Sequence, residues 1–393
     1  MHRGSTAFIL ALCVALTASS AGAEPGQPKK NSFRVVYNFA GTGSGASPFA
    51  GLTQDAEGNF YGTTIQGGGV NGAGTVFKLT PDETESVLYS FTDGSDGGIP
   101  YGGVVRDQEG NLYGTTSSGG QPQCNCGVVY KIDTAGHESV LHTFVGGADG
   151  ATPYGSLVMD ADGNLYGTTF DGGGTCNCGT VFKLAPNGKE TVLHAFEGGA
   201  DGANPYSSLI MDKRGDLTGA TYQGGGAACN CGTVFTLRGH KESVLYVFTG
   251  GSDGAYPQTS LIQDKQGNLY GTTKFGGAFS GGTVFKLAPD NSETVLHPFS
   301  GGADGASPYA GLVADRDGNL YGTTQEGGVS DAGTVFKVAP DGSAESVLYA
   351  FTGGVDGDQP VAGLFLGAKS ELYGTASAGG TNGFGTVFKV KDR

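Results

Sequence analysis

The chain has 393 residues, of which 75 are glycine, nearly three times the usual frequency of about 7%. Glycine shows no three-residue period and aromatic residues make up 10% of the chain, which disfavours collagen and disorder. The formal net charge of −15 disfavours nucleic acid as a partner, because a negative surface repels phosphate groups.

The first 23 residues are predicted to be a signal peptide for export. His2 and Arg3 supply a positive start, residues 7–17 form an apolar run, and Ala21-Gly22-Ala23 offers small residues for cleavage. The mature chain would begin near Glu24, with residues 24–32 as a short linker.

A lipid anchor at Cys13 is the alternative, although Leu12 is large for the residue before a lipidated cysteine. The apolar run is too short to span a membrane, and no later segment is long enough. We therefore expect a monomer without a membrane span that is secreted or periplasmic.

A unit of about 52 residues recurs seven times, which is the signature of a repeat architecture. Its landmark is a Gly-Asn-Leu-Tyr-Gly-Thr-Thr string. The aromatic position of that string recurs in steps of 51 to 53 residues, at Tyr61, Tyr113, Tyr166, Thr218, Tyr270, Tyr321 and Tyr373.

Each unit contains four short apolar runs that are typical of strands. In the second unit the runs, named A to D, are Tyr101 to Asp107, Leu112 to Thr116, Val128 to Ile132 and Ser139 to Phe144. Asp-x-x-Gly-Asn follows A, and Pro-Asp-Gly or a variant follows C, and both sequences favour tight turns. Each unit is therefore predicted to be a four-stranded antiparallel meander.

Such a meander has two apolar faces, which neighbouring units must bury. We predict an all-β fold, a single seven-bladed β-propeller of four-stranded antiparallel blades over residues 33–390; a linear solenoid is the alternative. The predicted blades are about 49–91, 101–144, 153–196, 205–248, 257–299, 308–351 and 360–390.

The two ends of the repeat are out of phase. The chain opens on a D-type strand at 33–39 and stops on a C-type strand, so the last unit lacks its outer strand. We expect the N-terminal strand to close the ring in the last blade, with Val35 to Phe39 beside Thr386 to Val390.

Three recurring strings resemble a known family. They are Gly-Asn-Leu-Tyr-Gly-Thr-Thr, the Gly-Thr-Val-Phe-Lys-Leu of Gly179 to Leu184, and the Val-Leu-Tyr-Ser-Phe of Val87 to Phe91. They look like the GloVer (Gloeobacter/Verrucomicrobia-type) tandem repeat of exported bacterial proteins. The resemblance implies an extracellular repeat protein with no established reaction and often a C-terminal surface anchor. Arg393 ends this chain without such an anchor, which implies a free protein or one held by a partner.

Loops after strands D and B should emerge together, because antiparallel strands alternate in direction. One position of the D to A loops holds aspartate in six units, at Asp96, Asp149, Asp201, Asp253, Asp304 and Asp356. These carboxylates could attract calcium, but Asp-Gly is also ordinary turn chemistry. We favour the turn and predict no metal site and no cofactor.

Six cysteines form three Cys-Asn-Cys pairs in consecutive units: Cys124 with Cys126, Cys176 with Cys178, and Cys229 with Cys231. In an exported protein, an even number of cysteines favours disulfides. We predict a disulfide within each pair; bridges between units and thiolate metal sites are the alternatives. His142, His194 and His297 occupy a strand D position that is Tyr in other units, so they are predicted to be packing residues.

A site for one ligand should break the symmetry of the repeat. The most variable point directly follows strand B, and it supplies the candidate ligand-binding residues Phe170, Asp171, Tyr222, Lys274, Gln325 and Glu326. Drift in an unselected loop is the alternative interpretation. No residues stand out as catalytic.

The sequence favours a non-enzymatic, exported binding or interaction module for an extracellular polysaccharide or protein ligand. The alternative is an extracellular carbohydrate lyase or hydrolase whose site lies on the face of the D to A and B to C loops. Asp171 or Glu326 would then act as acid or base near Lys274. A purely structural repeat of the cell envelope is a third hypothesis.

Overall fold

A computed structural model describes residues 32–226 and 229–392. The predicted signal peptide and all but the last residue of the predicted linker lie outside the described residues. Seven four-stranded antiparallel sheets form the blades of a closed ring, which confirms the seven-bladed β-propeller. None of the described residues belongs to a helix long and apolar enough to cross a membrane.

In blades 1 to 6, strands A to D follow one another in the chain. Blades 1 to 3 comprise Thr53–Gln54, Phe60–Thr64, Thr75–Leu79 and Glu85–Ser90; Val105–Arg106, Leu112–Thr116, Val128–Ile132 and Glu138–Thr143; and Val158–Met159, Leu165–Thr169, Thr180–Leu184 and Glu190–Ala195. Blades 4 and 5 comprise Ile210–Met211, Leu217–Thr221, Thr233–Arg238 and Lys241–Val247; and Ile262–Gln263, Leu269–Thr273, Thr283–Leu287 and Glu293–Pro298.

Blade 6 comprises Val313–Ala314, Leu320–Thr324, Thr334–Val338 and Glu345–Ala350. Blade 7 takes Phe365–Leu366, Glu371–Ala376 and Thr386–Lys391 from the C-terminus and Ser32–Asn38 from the N-terminus. Two short 3-10 turns, Gly147–Asp149 and Ala368–Ser370, complete the regular structure of the described residues.

The N-terminal strand closes the ring as expected. Val35 pairs with Phe388 and Asn38 pairs with Thr386, antiparallel. The next residue, Phe39, donates its N–H to the Gly385 carbonyl at 3.1 Å and is fully buried. A strand from one end of the chain therefore completes a sheet built from the other end.

Glycine stands in the middle of strand B because an aromatic ring lies across it. Gly62 is paired with Phe77 of strand C, and a Cβ on Gly62 would lie 2.6 Å from the Phe77 ring. The missing side chain lets the ring fold over the sheet, where it is fully buried.

The apolar core is divided among the seven contacts between neighbouring blades. Between blades 1 and 2, for example, Val76 and Phe91 pack with Leu112 and Tyr130. The contact between blades 7 and 1 is built in the same way, from Phe39, Val387 and residues of blade 1. Both faces of every blade are thus buried, which a lone meander could not achieve.

Hydrogen bonds also join the blades near the ring axis. Thr63 of strand B donates its hydroxyl to the Gly102 carbonyl of the next blade at 3.1 Å. At the ring closure, Thr375 donates to the Ala50 carbonyl at 3.4 Å. Blade 4 has Ala220 at this position and lacks the donor.

Strand A is shorter than predicted. In blade 2 it covers only Val105–Arg106 rather than Tyr101 to Asp107. The preceding residues pack against the neighbouring blade instead of their own strand B: a Cβ on Gly102 would lie 2.8 Å from the Gly155 carbonyl oxygen. Tyr101 and Gly102 therefore line the central channel without entering the sheet.

Candidate functional site

The ring has two faces. We call the side with the D to A and B to C loops the loop face, and the side with the A to B and C to D turns the turn face. On the turn face, Asp160 accepts hydrogen bonds from the Asn164 N–H at 2.9 Å and the Tyr166 hydroxyl at 3.0 Å. Burial opposes ionisation of Asp160, but these bonds outweigh it and lower its pKa. These aspartates shape their turns.

The repeated aspartates of the loop face are also engaged within their own loops. Asp253 accepts from the Thr249 N–H at 2.8 Å and from the Tyr246 hydroxyl at 3.1 Å. Where strand D carries histidine the partner changes, so His297 Nε2 lies 3.3 Å from Asp304. Within 32–226 and 229–392, no three His, Cys, Asp or Glu side chains are grouped so as to hold a metal ion.

The cysteine pairs lie in the B to C loops of blades 2, 3 and 4, with Cα separations of 5.1, 5.3 and 5.2 Å. These separations suit disulfides, and the pairing itself stays a prediction. Asn177 between the cysteines is left-handed, with φ of 57°, and accepts the Gly172 N–H at 2.7 Å.

The cysteine-free blade 7 shows what the first cysteine position does. There Asn382 donates to the Phe39 carbonyl, at the end of strand D, at 3.0 Å. Cys176 in blade 3 places its Sγ 3.2 Å from the equivalent Phe196 carbonyl. The first cysteine position therefore lies beside the end of strand D in both blades.

A repeated turn aims one residue of each D to A loop at the channel. The residue before the loop proline is left-handed in every blade, with φ of 53° to 57°, at Ser47, Ile99, Thr152, Asn204, Tyr256, Ser307 and Gln359. β-Branched residues such as Ile99 rarely adopt this conformation. Two backbone hydrogen bonds offset the strain. The Thr152 N–H donates to the Cys126 carbonyl of the preceding blade at 2.8 Å, and the Thr152 carbonyl accepts the Phe170 N–H at 3.1 Å.

The residues after the prolines surround the channel mouth on the loop face; they are Phe49, Tyr101, Tyr154, Tyr206, Gln258, Tyr309 and Val361. The five aromatic rings form a closed circle, with successive centroids 4.7 to 5.8 Å apart. Tyr309 donates its hydroxyl to the Tyr206 hydroxyl. The mouth encloses a cavity of about 100 Å³.

Two of the candidate ligand-binding residues contact this circle. The Phe170 ring lies 5.3 Å from Tyr154 and 6.0 Å from Tyr206. Lys274 Nζ lies 5.2 Å from the Tyr309 centroid. Sequence reasoning missed the circle itself, although the recurring Pro-Tyr dipeptide was its signal.

The other candidates lie around it. Tyr222 packs on Tyr256 with centroids 4.9 Å apart. Gln325 starts the B to C loop of blade 6, and its amide oxygen is buried without a hydrogen-bond partner among the described residues.

Asp171 and Glu326 belong to different parts of the face. Asp171, in blade 3, accepts the Asn177 side-chain amide at 3.1 Å. Glu326, in blade 6, is exposed and accepts the Ser307 hydroxyl at 3.3 Å. Blades 4 and 5 separate them along the ring, and each carboxylate accepts a hydrogen bond from a side chain of its own part of the face.

The loop face is acidic with one exception. Its loops carry the acidic residues Asp93, Asp96, Asp149, Asp171, Glu197, Asp201, Asp253, Asp304, Glu326, Asp331, Asp356 and Asp358. Lys274 is the single Lys or Arg in those loops. Burial lowers its pKa, and the charge of Glu326 partly offsets that effect.

The repeat family matches nearly the whole chain. The model of the Gloeobacter/Verrucomicrobia repeat matches residues 26–235 and 226–393, so the chain belongs to this family. No curated protein matches the sequence significantly.

Several solved structures share the fold at low identity. Virginiamycin B lyase from Staphylococcus aureus has a TM-score of 0.61 and 11% identity, covering 92% of this chain and 100% of that chain. The extracellular domain of a putative hybrid two-component system from B. thetaiotaomicron has a TM-score of 0.61 and 13% identity, covering 90% of this chain and 39% of that chain. A putative 6-phosphogluconolactonase from Bacteroides uniformis has a TM-score of 0.51 and 17% identity, covering 78% of this chain and 85% of that chain. These similarities concern the fold alone.

Proposed function

We propose that this member of the Gloeobacter/Verrucomicrobia repeat family is an exported, non-enzymatic binding module that holds an extracellular ligand over the channel mouth of the loop face. The observation that carries the proposal is the loss of symmetry there. The sevenfold repeat places one residue per blade at the mouth, yet the residues are five aromatics, Gln258 and Val361. A purely structural ring gains nothing from that asymmetry, whereas a single asymmetric ligand requires it.

The chemistry of the mouth suits a saccharide better than a protein surface. Half-buried rings such as Tyr154 and Phe170 offer flat apolar area with little conformational entropy to lose on binding. Export is supported by the predicted signal peptide, by the family, and by the extracellular domain among the similar structures.

The test is a binding screen of the chain from Glu24 onward against oligosaccharides and bacterial polysaccharides. Phe170→Ala and Tyr222→Ala should each lower the affinity for the best ligand by about tenfold, because each removes one stacking ring. Lys265→Ala on the turn face is the matched control and should bind normally. Unchanged affinity in both aromatic variants would contradict the proposal.

An enzymatic function is the second candidate, and Lys274 is the observation that favours it. A half-buried lysine with a lowered pKa is a common feature of reactive sites. The same screen should therefore monitor cleavage by mass spectrometry. If the protein cleaves a ligand, and Lys274→Met abolishes this turnover while Lys265→Met leaves it intact, the function is that of a lyase or hydrolase rather than of a binding module.

A further inference from the structure

We infer that the ligand of the channel mouth is an acidic saccharide whose carboxylate pairs with Lys274. The inference rests on the proposed function and adds the chemical class of the ligand. Three features at or beside the mouth support it: an isolated cation, two amide oxygens without a hydrogen-bond partner among the described residues, and an aromatic surface.

Lys274 is the cation. It is half-buried, its Nζ lies against the Phe275 and Tyr309 rings, and it forms no salt bridge with a carboxylate of the described residues. Two lysines elsewhere on the ring pair with acids: Lys389 lies 2.8 Å from Glu371, and Lys337 lies 2.8 Å from Asp392. Others, such as Lys183, lie over a tyrosine ring and form no salt bridge among the described residues, but Lys274 alone belongs to the acidic loops of the loop face. Lys274 therefore retains capacity for an anion that the chain does not supply.

Gln258 and Gln325 are the amides. Gln258 stands in blade 5 where four other blades have tyrosine, and Gln325 starts the neighbouring loop of blade 6. The side-chain oxygen of each is buried, with no donor among the described residues. Burying an acceptor without a donor is unfavourable, so each oxygen would gain a donor if its side chain turned outward to a ligand hydroxyl group.

The aromatic surface covers the rest of the mouth. Tyr154 stacks on Tyr206 at 4.7 Å with 27° between the rings, and Phe170 stands edge-on to both. A sugar ring with a carboxylate has the matching groups: an apolar face for the rings, hydroxyl donors for the amides, and an anion for Lys274.

The charge of the face limits how many anionic groups the ligand can place there. The loop face holds twelve acidic residues against one lysine, so a polyanion would be repelled everywhere except beside Lys274. The complementary ligand places one carboxylate at the mouth, as a chain end or an isolated acidic sugar does.

The experiment compares a trisaccharide ended by glucuronic acid with its methyl ester, by calorimetric titration at low and high salt. The acid should bind at least about tenfold more tightly, since a charge-assisted hydrogen bond is lost in the ester. Lys274→Met should abolish the difference and Lys274→Arg should keep most of it. Lys265→Met is the matched control, and equal melting temperatures show that each variant is folded.

Two results would overturn the inference. If acid and ester bind equally, and Phe170→Ala weakens both, the ligand class is wrong while the proposed binding site stands. If neither sugar binds, the ligand class is also wrong, and the broader oligosaccharide screen then decides the proposed function separately.

Discussion

On the turn face, aspartates accept hydrogen bonds from tyrosine hydroxyls in five blades, whereas on the loop face the residues around the channel mouth differ from blade to blade. Residues of the turn face also differ between some blades, but there another side chain restores a contact within the turn. In blade 7, Glu371 replaces the missing aspartate and accepts the Tyr373 hydroxyl at 3.2 Å. In blade 4, where Thr218 replaces the tyrosine, Arg214 pairs with Asp212 at 2.9 Å.

Variation at the mouth is not compensated in this way. Among the described residues, the buried side-chain oxygens of Gln258 and Gln325 have no hydrogen-bond partner, and Lys274 forms no salt bridge. Compensated variation indicates that selection preserved the structure, while uncompensated variation indicates a group kept for something outside the chain. This contrast separates the two faces more clearly than their composition does.

The largest expected effect concerns the ring that carries both faces. Removing residues 24–39 takes away the closing strand, including the fully buried Phe39, and exposes two sheet surfaces. We expect the thermal transition followed by circular dichroism to fall sharply or to lose cooperativity. Removing only residues 24–31 is the control, and an unchanged melt of the longer deletion would refute closure.

On the turn face, Asp160→Ala should destabilise the protein by about 1–3 kcal/mol, because three donors lose their acceptor. Urea unfolding would measure the change. Asp162→Ala, in the same turn but exposed, should cost little. Ligand affinity should stay the same in both variants; a loss of affinity without loss of stability would assign function to the turn face.

The contacts between blades predict a pH dependence. A glutamate at the start of strand D, or one residue after it in blade 4, has a buried Oε1 with no partner among the described residues in six blades, at Glu85, Glu138, Glu190, Glu242, Glu293 and Glu345. Burial, and then the nearby charge of Asp96, raises the pKa of Glu138 to about 7. At the contact between blades 6 and 7, Phe33 takes the place of this glutamate and stacks on Tyr349 at 3.7 Å.

Because its folded pKa lies above the unfolded value, Glu138 favours the folded state below about pH 4.5 and loses that contribution as pH rises through about 7. The melting temperature should therefore fall by a few degrees between pH 5 and pH 8. Glu138→Gln with Glu190→Gln should reduce the fall. A melting temperature that rises over this range would contradict the burial of the glutamates.

The smallest effect is expected from reduction of the cysteines. Asn382 ties the equivalent loop of blade 7 by a hydrogen bond alone, so a reducing agent should lower the melting temperature only slightly and leave binding intact. Alkylation without reductant, followed by mass analysis, would show whether the six thiols are free. A large loss of binding on reduction would make the cysteine loops part of the site.

The blades, their strand order and the closing strand could be predicted from the sequence, because each follows from the length of the repeat and from the point of the repeat at which the chain begins and ends. Sequence reasoning named Phe170 and Lys274, which directly follow strand B and contact the aromatic circle; their part in ligand binding stays a prediction. It missed the aromatic circle, since Tyr101 was assigned to a longer strand A, and the pattern does not say where a sheet ends near a crowded axis. The buried glutamates were missed because Glu138 follows a turn, and only blade packing covers it.

Hydrogen–deuterium exchange with and without the best saccharide ligand would locate the binding site. A ligand held over the channel mouth should slow exchange in the segments around Tyr154, Tyr206, Lys274 and Tyr309, and should cause no change in the turns that hold Asp160 and its equivalents. Protection of the turn face alone, or protection spread evenly over all seven blades, would contradict that location.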